Sequence, residues 1–130
     1  MKKEKNNRAP KAPDWLSDNA KRKWKELTPE LKKRGLLTAI DKTALALLCL
    51  HYDLAAEAGK TLKAEGTTVT DERGLTRKHP ACQVLRDNSQ SFARYMAEFG
   101  LSPSSRNKLI DVIQEEKEPT EFEKQFGGRL

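Results

Sequence analysis

Residues 44–50, Ala-Leu-Ala-Leu-Leu-Cys-Leu, are apolar around the whole circumference of a helix, and no other feature constrains the fold as much. They lie in a proline-free run over 39–66 that is interrupted only by Gly59, which a helix tolerates at about 1 kcal/mol. At 1.5 Å per residue this run predicts a helix roughly 40 Å long. Thr38 followed by Asp41 supplies a capping box for its start. Ile40, Ala44, Leu47, Leu54 and Ala58 form one stripe along it, and Leu45, Leu48 and Tyr52 a second. A helix that is apolar all round must be covered on every side. The cover comes either from other helices of the same chain or from neighbouring subunits, and the small size of the chain, 130 residues, favours subunits. Leu45, Leu48 and Tyr52 are the expected centre of that oligomer contact.

The remaining elements follow from stop and start signals. Ser17 is a fitting N-cap for a first helix carrying Leu16, Ala20, Trp24, Leu27 and Leu31 at helical spacing. Thr28-Pro29 reads as a break near Leu27 and a short restart, ended by Gly35 as a left-handed cap. After the long helix, residues 67–70 and 75–77 are β-prone around the turn Asp71-Glu72-Arg73-Gly74. They predict a short hairpin or an extended loop. Pro80 opens a third helix over 80–99, with Leu85, Phe92, Met96 and Phe99 on one side and Asn88 beside them. Asn88 is either a buried register-setting polar group or a residue at the stripe's edge. Gly100 ends that helix, and Ser102-Pro103 starts a fourth to about residue 116 that buries Leu109, Ile110 and Ile113.

The expected class is therefore mainly α: a four-helix protomer whose long helices form an antiparallel pair joined by the hairpin or loop, assembling into a ring. Residues 1–13 read as a disordered basic arm and 118–130 as a flexible tail. A single helical domain lies between them over 14–117, comprising basic N-terminal helices (14–37), the long pair (38–100) and a last helix (102–117).

Charge narrows the function. The chain carries 25 Lys+Arg against 19 Asp+Glu, a net +6. Residues 1–34 alone hold an excess of seven cations, so the remainder is close to neutral. No apolar run approaches the ~20 residues of a membrane span, and the basic N-terminus has no apolar stretch after it, so neither a membrane protein nor a secreted one is expected. No phosphate-binding loop, serine elbow or His-Glu-x-x-His pattern is present, and a non-catalytic protein without cofactor is expected. Two cysteines and two histidines, Cys49-x-His51 and His79-x-x-Cys82, match the ligand count of a structural zinc site. Residues two apart on a helix point about 200° from each other, however, so Cys49 and His51 are poorly placed to share an ion. Reduced thiols are the expectation.

A binding role is left, and the basic end indicates the ligand. Lys21, Lys25 and Lys32 share one helical face if the phase survives Pro29, and Arg22 and Lys33 share another. Lysine and arginine on a helix beside a basic arm are a common nucleic-acid footprint, because they neutralise phosphates and release counterions. A solvated surface is the plain alternative. Lys21, Arg22, Lys25, Lys32, Lys33 and Arg34 are the candidate contacts, with Arg77 and Lys78 as further ones.

In series, these landmarks resemble the small subunit of a tailed-phage terminase. The likeness runs through Pro13-Asp14-Trp15-Leu16, Ala20 and Trp24, then Leu31-x-x-x-Gly35-Leu36-Leu37 and Asp41. It continues through Cys49-Leu50-His51-Tyr52, Glu65-Gly66, Gly74 and His79-Pro80. It closes with residues 99–109, Phe-Gly-Leu-Ser-Pro-Ser-Ser-Arg-x-Lys-Leu. The likeness spans about residues 13–110. It implies a homo-oligomeric ring that binds double-stranded viral DNA in the host cytoplasm at the start of packaging. It also implies delivery of that DNA to a large subunit carrying the ATPase and nuclease. Phe122 and Phe126 are the expected docking residues for the large subunit. The alternative is a small helix-turn-helix transcriptional regulator, which needs a second helix able to lie in a DNA groove.

Overall fold

The structure, a computed structural model, describes residues 10–117, side chains at 109 and 113–117 excepted. Four helices and one hairpin follow in order: α1 (Asp18–Lys33), α2 (Ala39–Glu65), β1 (Thr68–Thr70), β2 (Thr76–Lys78), α3 (Pro80–Glu98) and α4 (Pro103–Lys117). The chain divides into two units, one up to Tyr95 and one from Met96 onward.

In the first unit, α1 starts at Ser17, whose hydroxyl accepts the Ala20 N–H at 3.1 Å. The helix then continues through Pro29 to Lys33 as one element, where a break was expected. Proline inside a helix costs ~3 kcal/mol and leaves the carbonyl four residues back without its helical partner. What carries α1 past that point is packing: Ala20, Trp24, Leu27, Thr28 and Leu31 are all buried, and fully burying one large apolar side chain such as Leu31 is worth ~1.5–3 kcal/mol. The stripe stays in phase only if the helix does. Gly35, at φ 67°, closes the element: its N–H bonds to the Lys32 carbonyl, and the Leu36 N–H reaches back to Leu31 at 2.9 Å.

The long helix α2 has the expected bounds, and its capping box is fully formed. The Thr38 N–H donates to Asp41 Oδ2 at 3.0 Å and the Asp41 N–H to Thr38 Oγ1 at 3.4 Å. The Thr38 hydroxyl and backbone bonds hold the Asp41 carboxyl below its ordinary value of 3.8. α1 runs antiparallel beside α2, with Asn19 Nδ2 donating to the buried Asp53 carboxylate at 3.1 Å. One side of the all-apolar segment is covered within one chain: Leu45, Ala46, Leu48 and Cys49 are each at most 1% exposed, while Ala44, Leu47 and Leu50 are half-buried. This corrects the expectation that neighbouring subunits cover Leu45 and Leu48.

Tyr52 is half-buried. Its ring is engaged from both sides inside the protomer. Lys23 Nζ lies 4.2 Å from the ring centroid on the α1 side, and Phe92 of α3 lies 5.8 Å away, tilted by 47°. Stacking of His51 on Tyr95 and a 2.8 Å bond between His51 Nδ1 and Asn88 Oδ1 align α3 antiparallel to α2. Asn88 is thus a half-buried link between helices, and its amide also donates to the Val84 carbonyl.

The 67–78 segment is a true antiparallel hairpin, with Thr68 opposite Lys78, Val69 opposite Arg77 and Thr70 opposite Thr76. Its second strand sits one residue later than expected. Asp71 builds the turn by accepting the Arg73 and Leu75 N–H groups on Oδ1, and Gly74 supplies the positive φ of 82° that the turn needs. His79 closes the hairpin's neck. Its N–H donates to the Thr67 carbonyl, its Nδ1 accepts the Ala81 N–H, and its Nε2 lies 3.5 Å from Glu65. Pro80 then opens α3 at a first helical position, where its missing N–H costs nothing.

In the second unit, the end of α3 turns at Gly100 (φ 70°), with the Leu101 N–H on the Met96 carbonyl at 2.8 Å. Ser102 caps α4 through the Ser105 N–H, and the Ser105 hydroxyl donates to the Ala97 carbonyl. Phe99 and Leu101 are buried, but Ile110 is 51% exposed, against the expectation that it joins the core. Among the described residues of this unit, only the last turn of α3 and the loop before α4 are available to cover it. Leu109 and Ile113, expected to be buried with it, have side chains outside the described residues.

Candidate nucleic-acid interface

Because α1 is continuous, its cations fall into defined arcs. Lys21, Lys25 and Lys32 lie within about 40° of one another around the helix axis, and Arg22 and Lys33 share the neighbouring arc. Trp24, Leu27 and Leu31 occupy the side packed on α2, so the cations line one border of the buried stripe and turn outward. Among the described residues no carboxylate pairs with Lys21, Arg22 or Lys25. Lys33 has only a 3.8 Å contact with Glu30. Lys32 and Lys33 also occupy the last turn, where a cation is favoured by the partial negative charge of the helix end. Arg34, the C-cap residue, is half-buried.

Lys23 is the exception in this run. It lies on the opposite border, paired with Glu26 at 2.8 Å and held over the Tyr52 ring, with only 17% of its side chain exposed. Its charge is spent inside the protomer.

A cleft of about 570 Å³ opens beside the outward cations. It is lined by Pro10, Lys11 and Ala12 on one side and by Asp18, Lys21, Arg22, Trp24, Lys25 and Thr28 on the other. The segment 10–12, expected to belong to a disordered arm, is instead tied to α1: the Trp24 indole N–H donates to the Pro10 carbonyl at 2.8 Å. Sequence reasoning missed this strap, because a tryptophan in an apolar stripe is sufficiently explained by core packing. Its one polar atom was the only cue. Thr28 adds a fully buried hydroxyl with no hydrogen-bond partner among the described residues.

Arg77 and Lys78 are not brought to this site. They sit on β2, exposed, and alternate to opposite faces of the hairpin. The hairpin begins beyond the end of α2, about twelve residues or roughly 18 Å past Asp53, which pairs with the start of α1. Phe122 and Phe126 lie outside the described residues.

The zinc reading gains no geometry. His51 is bonded to Asn88 and His79 to Ala81, while Cys49 is buried in the α1–α2 core. No cluster of three metal-ligating side chains occurs among the described residues. Burial, reinforced by Glu26 and partly countered by Lys23, pushes the Cys49 thiol up to about 12. At pH 8 its thiolate fraction is then on the order of 10⁻⁴, and thiolate is the reactive form. Alkylation of the folded protein at pH 8, mapped by mass spectrometry, is expected to modify the half-buried Cys82 and to spare Cys49 until denaturant is added. Equal labelling of both would show that the α1–α2 core opens readily.

The geometry defines a helical protein with a cationic face on its first helix and no helix, among the described residues, long and apolar enough to cross a membrane. A family model described as phage terminase, small subunit, matches residues 20–116. The chain belongs to the phage terminase small-subunit family, whose role is in phage genome packaging and whose members are generally non-catalytic. No curated protein and no solved structure matches it.

Proposed function

We propose that this chain binds double-stranded phage DNA through the cationic face of α1 and delivers it to the terminase large subunit. The observation that carries the reading is the grouping of Lys21, Arg22 and Lys25 on the outward side of a well-packed helix, with no carboxylate partner among the described residues. Lys32 continues the arc of Lys21 and Lys25 toward the helix end and Lys33 that of Arg22, and Arg34, at the C-cap, lies on the side of Lys23. Arg77 and Lys78, on the hairpin, are a separate and weaker set. The contacts are to phosphates, which supply affinity and orientation without reading sequence.

The copies act as a ring in the host cytoplasm. Arraying protomers turns a few phosphate contacts each into many on one DNA. With Leu45 and Leu48 buried inside the protomer, the contact between copies falls to apolar surface that stays open. None of the nineteen residues of α3 is fully buried, and Leu54 and Val84 are 39% and 41% exposed. A gap of about 290 Å³, lined by Tyr52, Ala55, Ala56, Leu85, Ser89 and Phe92, leaves the α2–α3 seam partly open as well. Docking on the large subunit is assigned to the tail, through Phe122 and Phe126. A helix-turn-helix regulator is disfavoured because α2, the helix that would enter the groove, lies between α1 and α3.

The test is a titration of double-stranded DNA of mixed sequence against salt. Binding that weakens steeply and linearly in log–log form is expected. Undetectable binding at 50 mM salt, with the protein folded, would reject the reading.

A further inference from the structure

We infer that the cleft beside α1 takes up one unstacked nucleotide of the bound DNA, with its phosphate on Lys21, Arg22 and Lys25 and its base between α1 and the 10–12 strap. The inference rests on the DNA-binding reading above and adds to it a contact with a base, which a purely phosphate-binding face does not make.

Size, lining and an unpaired hydroxyl carry the assignment. The cleft holds about 570 Å³, inside the ~300–1,000 Å³ range of small-molecule sites. One wall is the strap, fixed to α1 by the 2.8 Å bond from the Trp24 indole N–H to the Pro10 carbonyl. Trp24 is 2% exposed, so the core sets the position of that wall. The other wall is α1, where the helical turn places Trp24 and Thr28 between the buried stripe and the arc of Lys21 and Lys25. Three cations at the rim, without a carboxylate partner among the described residues, suit an anion. Asp18, the one carboxylate in the lining, lies about two turns before Lys25 and leaves their end of the cleft positive.

A phosphate alone would use the cations and leave the interior empty. Pro10, Ala12 and Trp24 make that interior apolar, as the flat face of a base requires. Thr28, 1% exposed, adds a hydroxyl with no hydrogen-bond partner among the described residues. Such groups are rare in folded chains. Threonine in a helix divides between two χ1 wells, and exchanging them swaps hydroxyl and methyl, so the hydroxyl can turn to the polar edge of a base. The bases of a closed duplex are stacked, and a base that is already unpaired enters a pocket at least cost.

The test is fluorescence anisotropy with three labelled DNAs of one sequence: a closed duplex, the duplex with one adenine bulged from its centre, and the same bulge with an abasic site. The natural protein is expected to bind the adenine bulge about tenfold more tightly than the other two, as for one base held on a protein wall. Thr28→Val keeps the side-chain shape and removes the hydroxyl. It should cut that preference about threefold, the effect of one lost hydrogen bond, with closed-duplex affinity unchanged and Tm not lowered. A loss shared equally by all three DNAs would make Thr28 purely structural and overturn the inference.

Ala12→Leu, on the strap and outside the core, fills the cleft without altering a charge and is expected to abolish the preference. A preference that survives it would put the unpaired base elsewhere and overturn the inference. Equal affinity of the natural protein for all three DNAs would overturn it too, while the α1 reading stands. Saturable binding of free dAMP in equilibrium dialysis, with no preference for the bulge, would give the cleft to a free nucleotide and overturn its assignment to DNA. If the closed duplex does not bind at all, the α1 reading falls and the inference falls with it.

Discussion

Replacing Lys21, Arg22 and Lys25 together by glutamine is expected to lower DNA affinity by on the order of 10²-fold or more per protomer near 0.1 M salt. The reason is counterion release. Each phosphate contact contributes about 0.9 to the log–log salt slope, so three lost contacts reduce the slope by about 2.7. Because the effect scales with contacts per DNA, a ring multiplies it. The fold should be unaffected, since none of the three makes an ion pair among the described residues and all lie outside the buried stripe. Glutamine keeps helix propensity close to that of lysine and arginine, so α1 itself should persist. The measurement is fluorescence anisotropy across a salt series, with thermal unfolding as control. A variant that binds as the natural sequence does, with the same slope, would place the DNA site away from α1.

Leu48→Ala is expected to produce the largest loss of stability, ~2–5 kcal/mol, against the ~5–15 kcal/mol that holds a whole domain together. Leu48 is 0% exposed, in the segment where α1 covers α2. Truncating it removes transfer free energy and leaves a cavity that a helix fixed by Asn19–Asp53 on one side and His51–Asn88 on the other cannot collapse to fill. At ~4–8 °C per kcal/mol the midpoint should fall by roughly 10 °C or more. The decisive feature is concentration. A residue buried inside the protomer gives the same drop in Tm at every protein concentration, whereas one buried between subunits gives a drop that changes with it. A concentration-dependent drop would return Leu48 to a subunit contact.

The two expectations concern neighbouring elements and separate cleanly. The basic border of α1 and its apolar stripe are on one helix, but one acts on a ligand and the other on the core. Lys23 shows why the separation matters. Counted by charge, it is one more cation in a basic run; placed in the structure, it caps the Tyr52 ring and pairs with Glu26. Neutralising Lys23 would therefore mix a loss of packing with any loss of binding, and it is left out of the triple variant for that reason.

The sequence by itself determined the elements whose signals are local. The Ser17 and Thr38 caps, the glycines at 35 and 100, the Asp71–Gly74 turn and the Pro80 and Pro103 starts each depend on atoms within a few residues of one another. Their chemistry is therefore legible in the order of residues. The cationic end was legible for the same reason. Tertiary packing alone decided the rest. It carried α1 through Pro29, because the local cost of a proline is offset by burial of the α1 stripe, Leu31 included, in the core shared with α2. It closed Leu45 and Leu48 inside one chain, because a periodic pattern says that a side chain is buried but not what buries it. It also turned Trp24 toward Pro10, a bond made only after the helix and the strap have met. Periodicity and capping act over one or two helical turns, whereas cover, pairing and anchoring depend on which surfaces come together in space.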